Sequence, residues 1–419
     1  MIRIGIVGCG RILPAHLRGY QRLREAGYDN FRITGLVARQ RTDAEMFRRR
    51  GEGPPPRPTV SVNPNDPLAA PHMYVSDIHP DTIPTVYDSL EAMLADGQID
   101  AIDTPSSVFA HHTVALAALR AGKHVLVQKP LAVSVRAGRR MVEAARDAGC
   151  VLGVMENVRY SAGTRHAAWA LQAGYIGDVQ MVASVSIGTR DWSPDRVVAD
   201  TPWRHIAAQA GGGATLDIGV HMMHGLRYLC GDVATVSALV RTFEPQRFLR
   251  DAAGQQTGAF AADADDAYMA LLEFAGGGIG MTSFTWAGHG EPTGLPEGRV
   301  IYGAKGAIKG GRLLPDNQAP VALADLFQQE APAALKERYF PFGLTDTFAL
   351  CAYDFCRSIE AGAPMDMSGE EGLRDLATAF AMTEASHARQ VVRVEDVLTG
   401  DVAAAQQPID AYYGLLDGR

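Results

Sequence analysis

A short apolar run, Ile2–Val7, ends directly in Gly8-Cys9-Gly10, and a helix signal opens straight after it with Pro14 in the first turn. No other feature limits the fold as tightly. A strand that stops in glycines and turns at once into a helix is the start of a βαβ unit. Glycine permits the tight turn and lets the backbone approach a pyrophosphate at a helix N-terminus, where free N–H groups and the dipole favour anions. The alternation then continues. Phe31–Ala38, Ala101–Asp103, His124–Val127 and Val151–Val154 read as further strands. Helices are expected over Asp43–Arg50, through Leu116 and Leu119 to Gly122, and from Ser134 to Gly149. This predicts a doubly wound parallel sheet of Rossmann type over residues 1–155. Residues 51–84 interrupt the rhythm with Pro54-Pro55-Pro56 and six further prolines, and are expected to form a long ordered surface excursion.

Beyond residue 156 the pattern changes. Val179–Ser186, Ala234–Val240, Ala267–Phe274, Gly278–Phe284 and Arg299–Tyr302 are strand-like with few helices between them, and Ala275–Gly278 is a hairpin signal. Residues 156–419 are therefore expected to form an α+β domain around a large, mostly antiparallel open sheet. One helix enters near Leu216 and two late ones cover Asp346–Ala361 and Ser368–Ala388. Two domains also suit a chain of 419 residues.

The net charge of −8, with no basic run to offset it, argues against a nucleic-acid partner. Five scattered cysteines, Cys9, Cys150, Cys230, Cys351 and Cys356, suit a reducing compartment and exclude a CxxC zinc site. No apolar stretch approaches membrane-spanning length, and Met1 leads straight into the first strand, so a cytoplasmic location is expected.

The glycine turn makes Gly8, Gly10, Arg11 and Ile12 candidate dinucleotide contacts, although the sixth fingerprint position, usually Gly or Ala, is Leu13. The second strand normally ends in an acid that binds the adenosine ribose of NAD. Here it ends in Ala38-Arg39-Gln40-Arg41, with no acid before Asp43. A small residue followed by arginines leaves room and charge for a 2′-phosphate, so both NAD and NADP are open, with a lean toward NADP.

Two more stretches carry a resemblance. The first is Thr104-Pro105, then His111, then Ala121-Gly122-Lys123-His124-Val125-Leu126-Val127-Gln128-Lys129-Pro130. The second is Trp203-Arg204 followed by Gly211-Gly212-Gly213-Ala214-Thr215-Leu216-Asp217-Ile218-Gly219-Val220-His221. With the N-terminal glycines these resemble the Gfo/Idh/MocA family (glucose–fructose oxidoreductase, inositol dehydrogenase and MocA-like oxidoreductases), from residue 1 to about residue 400.

The resemblance implies an enzyme: an NAD- or NADP-dependent dehydrogenase or reductase acting on a CH–OH group of a sugar, inositol or related polyol. It also implies association through the open sheet, as a homodimer or homotetramer. A redox-neutral glycosidase or lyase that keeps its NAD(H) bound is the alternative within the family, and a non-catalytic cofactor-binding regulator is a remoter one.

The family's catalytic lysine falls on Lys129, where the fourth strand ends and an ammonium can stabilise developing oxyanion character. The usual Glu before it is here Gln128. Asp217 and His221 match the family's Asp and His. At four residues' separation they are expected on one helix face, with the imidazole taking the hydroxyl proton. His224 stands where many members have Asp. Asp217, His221 and His224 together have metal-like spacing, but no fourth ligand stands out, so no metal is expected and His224 is read as a substrate contact or a neighbour of one. Thr104, Pro105, His111 (or His112), Gln128 and Lys129 complete the cofactor set. Glu156, Asn157, Arg159 and Tyr160, then Arg190-Asp191-Trp192, then Trp203 and Arg204, offer the polar and aromatic groups a sugar-like substrate needs, although Trp192 and Trp203 have an equally good reading as core.

Overall fold

The computed structural model describes residues 1–188, 194–251 and 253–416. They form two compact units, each discontinuous in sequence. The first is built from residues 1–132, 138–160 and 337–372, and the second from residues 133–137, 161–336 and 373–419.

The first unit carries a six-stranded sheet of β1 (Ile2–Val7), β2 (Phe31–Val37), β3 (Thr85–Val86), β4 (Ala101–Thr104), β5 (His124–Gln128) and β6 (Leu152–Met155). Their spatial order is β3-β2-β1-β4-β5-β6, and every pair is parallel. The order reverses between β1 and β4, which places a ligand crevice beyond their carboxyl ends. Ile4, Ile6, Ile102, Val125, Leu126 and Val127 are fully buried, as the apolar runs demand of a sheet covered on both faces. The expected helices are present over Leu13–Glu25, Arg41–Arg48, Val108–Arg120 and Val135–Ala148.

Three details differ from expectation, the first being a short helix over Leu90–Ala95. The sheet gains a sixth strand at its edge, the two-residue β3. The proline-rich segment is not wholly irregular either, since Asp66 caps a turn of 3-10 helix over Pro67–Ala69 and a short helix covers Val75–Ile78. The helix Thr347–Ala361, capped by the Asp346 carboxylate, returns to the first unit. There Phe348 meets His16 edge-on at 5.3 Å, and Cys351 and Cys356 are both fully buried.

The second unit is organised on a nine-stranded sheet made of β7 (Val179–Ile187), β8 (Val233–Arg241), β11 (Ala267–Phe274), β12 (Ile279–Thr285), β13 (Thr293–Gly303), β14 (Gly306–Lys309), β15 (Arg312–Pro315), β16 (Val321–Ala322) and β17 (Val392–Arg393). The order is β16-β15-β14-β13-β7-β12-β11-β8-β17, antiparallel at every pairing except β12 with β7. A separate hairpin pairs β9 (Gln246–Arg250) with β10 (Gln256–Ala261).

Period-two alternation sets which face of the large sheet is covered. Ala270, Leu272 and Phe274 of β11 are buried, while Met269 and Leu271 stand out at about 60% exposure (59% and 64%). Among the described residues no helix is long and apolar enough to cross a membrane.

Candidate active site

In the first unit the cofactor candidates meet at the carboxyl ends of β1, β2, β4 and β5. Gly8 donates its N–H to Val37 O of β2 at 2.9 Å and has φ +102°, a conformation only glycine adopts easily. A side chain there would also meet the backbone of Ser106 beyond β4, at 2.8 Å from its Cα. Space around the Cα of Gly10 is open. The helix Leu13–Glu25 begins with no side-chain cap and no acid in its first turn, so its N-terminus presents a positive dipole end, with the Leu13 and Ala15 N–H groups donating to Gly10 O and Ile12 O. These features fit a dinucleotide pyrophosphate. Leu13, the departure at the sixth fingerprint position, is fully buried at the start of that helix. Arg11 is exposed and Ile12 half-buried beside the turn, while Ala38 is half-buried and Arg39 exposed just past β2. Thr104 and Pro105 are buried at the end of β4, and the Thr104 hydroxyl lies 2.8 Å from that of Ser106.

Lys129 follows β5 directly, half-buried, and the Lys129–Pro130 peptide is cis. Gln128 Oε1 accepts the Lys129 N–H at 2.8 Å, and its Nε2 lies 3.1 Å from His16 Nε2. Sequence reasoning missed His16 and its partner Asp103. The available signal was an acid inside an otherwise apolar strand.

His111 does not offer its ring nitrogens to a cofactor. It is 1% exposed, with Nδ1 at 2.9 Å from Pro130 O and Nε2 at 3.0 Å from Ser106 O. Burial lowers its pKa to about 4, and the neutral ring carries one proton for two carbonyls. Its place is to tie the loop after β4 to the loop after β5. His112, its alternative, is buried as well.

Tyr160 likewise turns into the protein, fully buried with its hydroxyl donating to Asp354 Oδ2 at 2.8 Å, and is corrected from substrate contact to core. Glu156 is buried and accepts the Val158 N–H at 3.0 Å. Asn157 is half-buried, and Arg159 lies 3.9 Å from Glu371.

In the second unit the glycine run is moulded around Asp265. Its Oδ2 accepts the Gly213 N–H and the Thr215 hydroxyl, each at 2.7 Å, and Oδ1 accepts the Thr215 N–H at 2.8 Å. Burial pushes this carboxyl upward, and the three donors pull it back. The helix expected beyond it is two helices, Ala214–Asp217 and Gly219–Cys230, interrupted at Ile218, whose φ of −104° departs from helical values. Asp217 and His221 therefore belong to different segments. Asp217 Oδ2 accepts Arg204 Nε at 3.2 Å, and the Arg204 guanidinium lies 4.5 Å from the centre of the Trp203 ring. Trp203, Arg204, Asp217 and His221 are all half-buried, so Trp203 is not core.

His224 is the clearest correction. It is 1% exposed, with Nδ1 at 2.7 Å from Asp375 Oδ2, and Arg227 pairs with the same carboxylate. It is a core residue hydrogen-bonded beside the Arg227–Asp375 ion pair and faces no substrate. Among the described residues no group of three or more His, Cys, Asp or Glu is placed to hold a metal. Arg190, Asp191 and Trp192 lie outside the described residues.

Comparison with known proteins gives the same assignment independently. The model of the oxidoreductase family with NAD-binding Rossmann fold matches residues 2–156, and that of the GFO/IDH/MocA C-terminal domain matches residues 164–309. A 1,5-anhydro-D-fructose reductase of Ensifer adhaerens is 30% identical over 307 residues, 73% of this chain and 83% of its own. A myo-inositol 2-dehydrogenase of Thermotoga maritima is 24% identical over 74% of this chain and 85% of its own. Among solved structures, a levoglucosan dehydrogenase in complex with NADH and L-sorbose superposes with a TM-score of 0.71 at 22% identity, covering 95% of this chain and all (100%) of the other. With the parallel sheet, the glycine turn and Lys129 already in place, the chain belongs to the Gfo/Idh/MocA family and is a nicotinamide-dependent oxidoreductase.

Proposed function

We propose that the protein transfers hydride between a nicotinamide dinucleotide and a secondary alcohol or ketone of a sugar or related polyol, with Lys129 and His221 handling the proton. The observation that carries this reading is the convergence of Gly8, Thr104 and Lys129 on one edge of the parallel sheet. The names of the relatives, which reduce or oxidise anhydro sugars and inositol, support the substrate class. When bound, the dinucleotide supplies the hydride acceptor or donor. Lys129 donates a hydrogen bond to the reacting oxygen and favours its negative charge. His221 takes the hydroxyl proton in oxidation and returns it in reduction, a task suited to imidazole near neutral pH. Arg204, held by Asp217, and the Trp203 ring supply a charged fork and an aromatic face for a polyhydroxylated ligand.

Titration of the protein with NADH and with NADPH, followed by nicotinamide fluorescence, tests the cofactor. Exchangeable binding is expected, and Arg39→Ala is expected to weaken NADPH about tenfold while sparing NADH, the loss of one charge-assisted contact. No binding of either form would remove the proposal. The substrate class is tested by initial rates with levoglucosan, 1,5-anhydro-D-fructose, myo-inositol and D-xylose. Silence across that panel with a bound, exchangeable cofactor would restrict the proposal to hydride transfer on some other class.

We further propose that two copies associate through the open face of the nine-stranded sheet. The register sets Leu271 opposite Met281, Met269 opposite Leu239, and Ile279 opposite Met181. All six are exposed, so they form one continuous apolar face of the kind that marks subunit contacts. Leu271→Glu combined with Met281→Glu is expected to shift the sedimentation mass to that of a single chain. A wild-type monomer would refute the association.

A further inference from the structure

Beneath Lys129 lies a buried row of polar side chains that the reaction as described does not use. Its members come from the first helix and from two adjacent strands: His16 and Tyr20 from Leu13–Glu25, Asp103 from β4 and Gln128 from β5. His16, Tyr20 and Asp103 are 1%, 0% and 0% exposed.

The proton positions in this row follow from one fixed donor. The Lys129 N–H points at Gln128 Oε1 at 2.8 Å, and a backbone N–H can only donate. Gln128 must then present its NH2 group to His16 Nε2, 3.1 Å away, which makes Nε2 an acceptor. The ring proton is therefore on Nδ1 and is donated to Asp103 Oδ2 at 2.9 Å. Tyr20 donates its hydroxyl to the same oxygen at 3.1 Å. Each bond determines the next, and the row holds a single negative charge, at its far end.

A carboxylate in place of the Gln128 amide would reverse this logic. Its second oxygen, facing His16 Nε2, would require a proton there, and the imidazole would lie between two carboxylates.

We infer that the row works as a matched chain of hydrogen bonds, with its charge on Asp103, and that Asp103 acts through His16 and Gln128 as a positioning residue for the backbone that carries Lys129. The assignment rests on the proposed role of Lys129 in hydride transfer. The two donors on the Asp103 side, His16 Nδ1 and the Tyr20 hydroxyl, both meet Oδ2, while the buried Oδ1 has no hydrogen-bond partner among the described residues.

The decisive experiment moves the charge to the other end of the row. Combining Asp103→Asn with Gln128→Glu leaves the total charge unchanged and runs every hydrogen bond through His16 in reverse. The amide introduced at position 103 donates to His16 Nδ1, and His16 Nε2 donates to the carboxylate introduced at position 128. Each single variant breaks the match, leaving either no carboxylate or two around one imidazole. Initial rates are measured on the full chain with the most active sugar of the panel. Each single substitution is expected to lower kcat by about tenfold to a hundredfold, the usual consequence of a misplaced catalytic group, with the KM for cofactor little changed. The double variant is expected to return to within about threefold of wild type, a rescue that loss of stability alone would not produce.

A double variant no better than the weaker single would overturn the inference. Independently of turnover, imidazole 15N shifts of histidine-labelled wild-type protein, with His16 assigned by its loss in His16→Gln, are expected to show the Nδ1–H tautomer. A proton on Nε2 would also overturn it. This second measurement does not depend on the folding of the Asp103 or Gln128 variants. Absence of wild-type turnover across the panel, with the Nδ1–H tautomer present, would count against the proposed function and leave the row of hydrogen bonds as described.

Discussion

Lys129→Ala and His221→Ala are each expected to lower kcat/KM by about a thousandfold, within the range a positioned acid–base group contributes, while NADH still binds. The two losses arise differently. Lys129 stands at the end of β5, on the sheet edge that fits the dinucleotide, and its alanine variant removes the cation that would face developing charge on the substrate oxygen. Lys129→Arg keeps the charge but replaces a compact ammonium with a broad planar fork, so little rescue is expected.

His221 lies in the first turn of the helix Gly219–Cys230, and its substitution removes the proposed proton acceptor and leaves the residues of the first unit's glycine turn unchanged. His221→Ala should therefore bind NADH as wild type does. Steady-state kinetics on the most active panel sugar, with fluorescence titration of the same samples, checks both expectations. Near-normal turnover in either variant would exclude that residue from the chemistry.

The second large effect concerns stability. Gly213→Ala is expected to destabilise the protein by about 4 kcal/mol or more, at the far end of the range for single substitutions. An added Cβ would lie 1.6 Å from the carbonyl oxygen of Asp265, which is backbone and cannot swing aside. That same carbonyl accepts the Ala214 N–H at 2.9 Å, so retreat from the methyl group would also break this bond. The Asp265 carboxylate holds three further donors across the turn. Asp265→Ala, which orphans those donors without a clash, is expected to cost about 3 kcal/mol. Urea unfolding of the three proteins measures both values. A Gly213→Ala midpoint equal to wild type would mean that the turn is looser than its hydrogen bonds indicate. Because this turn launches the segment bearing Asp217, the variant should also lose activity at temperatures where it remains folded.

Most of the first sheet was legible because its strands are continuous apolar runs bounded by glycine, proline or caps, signals that act over a few residues. In the first unit the strand and helix ends depart from the expected ones by a residue or two, as frayed termini do, whereas the strand expected at Arg299–Tyr302 runs over Thr293–Gly303. The hairpin at Ala275–Gly278 was legible for the same local reason, with Gly277 at φ +87°. The β9–β10 hairpin was not, since Gln246–Arg250 and Gln256–Ala261 are short, mix polar with apolar residues, and gain their place by pairing with each other.

At the candidate site, Gly8, Lys129 and the glycine run carry local patterns. His224 shows how far such patterns reach. Its spacing from His221 suggested a shared surface, but its partner is Asp375, 151 residues away in sequence. The Gln128–His16–Asp103 row was invisible for the same reason: its bonds join residues 112 and 87 positions apart. Nothing local distinguishes such a partner from any other buried acid.

The first unit is completed by a segment made very late. Residues 337–372 supply the Thr347–Ala361 helix against the first helix, the Asp354 carboxylate for Tyr160, and the Met367 carbonyl that accepts the Val154 N–H at 3.0 Å. During synthesis the nucleotide-binding sheet therefore emerges from the ribosome with one flank bare, and residues 161–336 of another unit are made before its cover arrives. The nascent chain must hold that flank soluble in the meantime. The nucleotide-binding unit is thus complete only once residue 372 has been made, and not when its sheet has been.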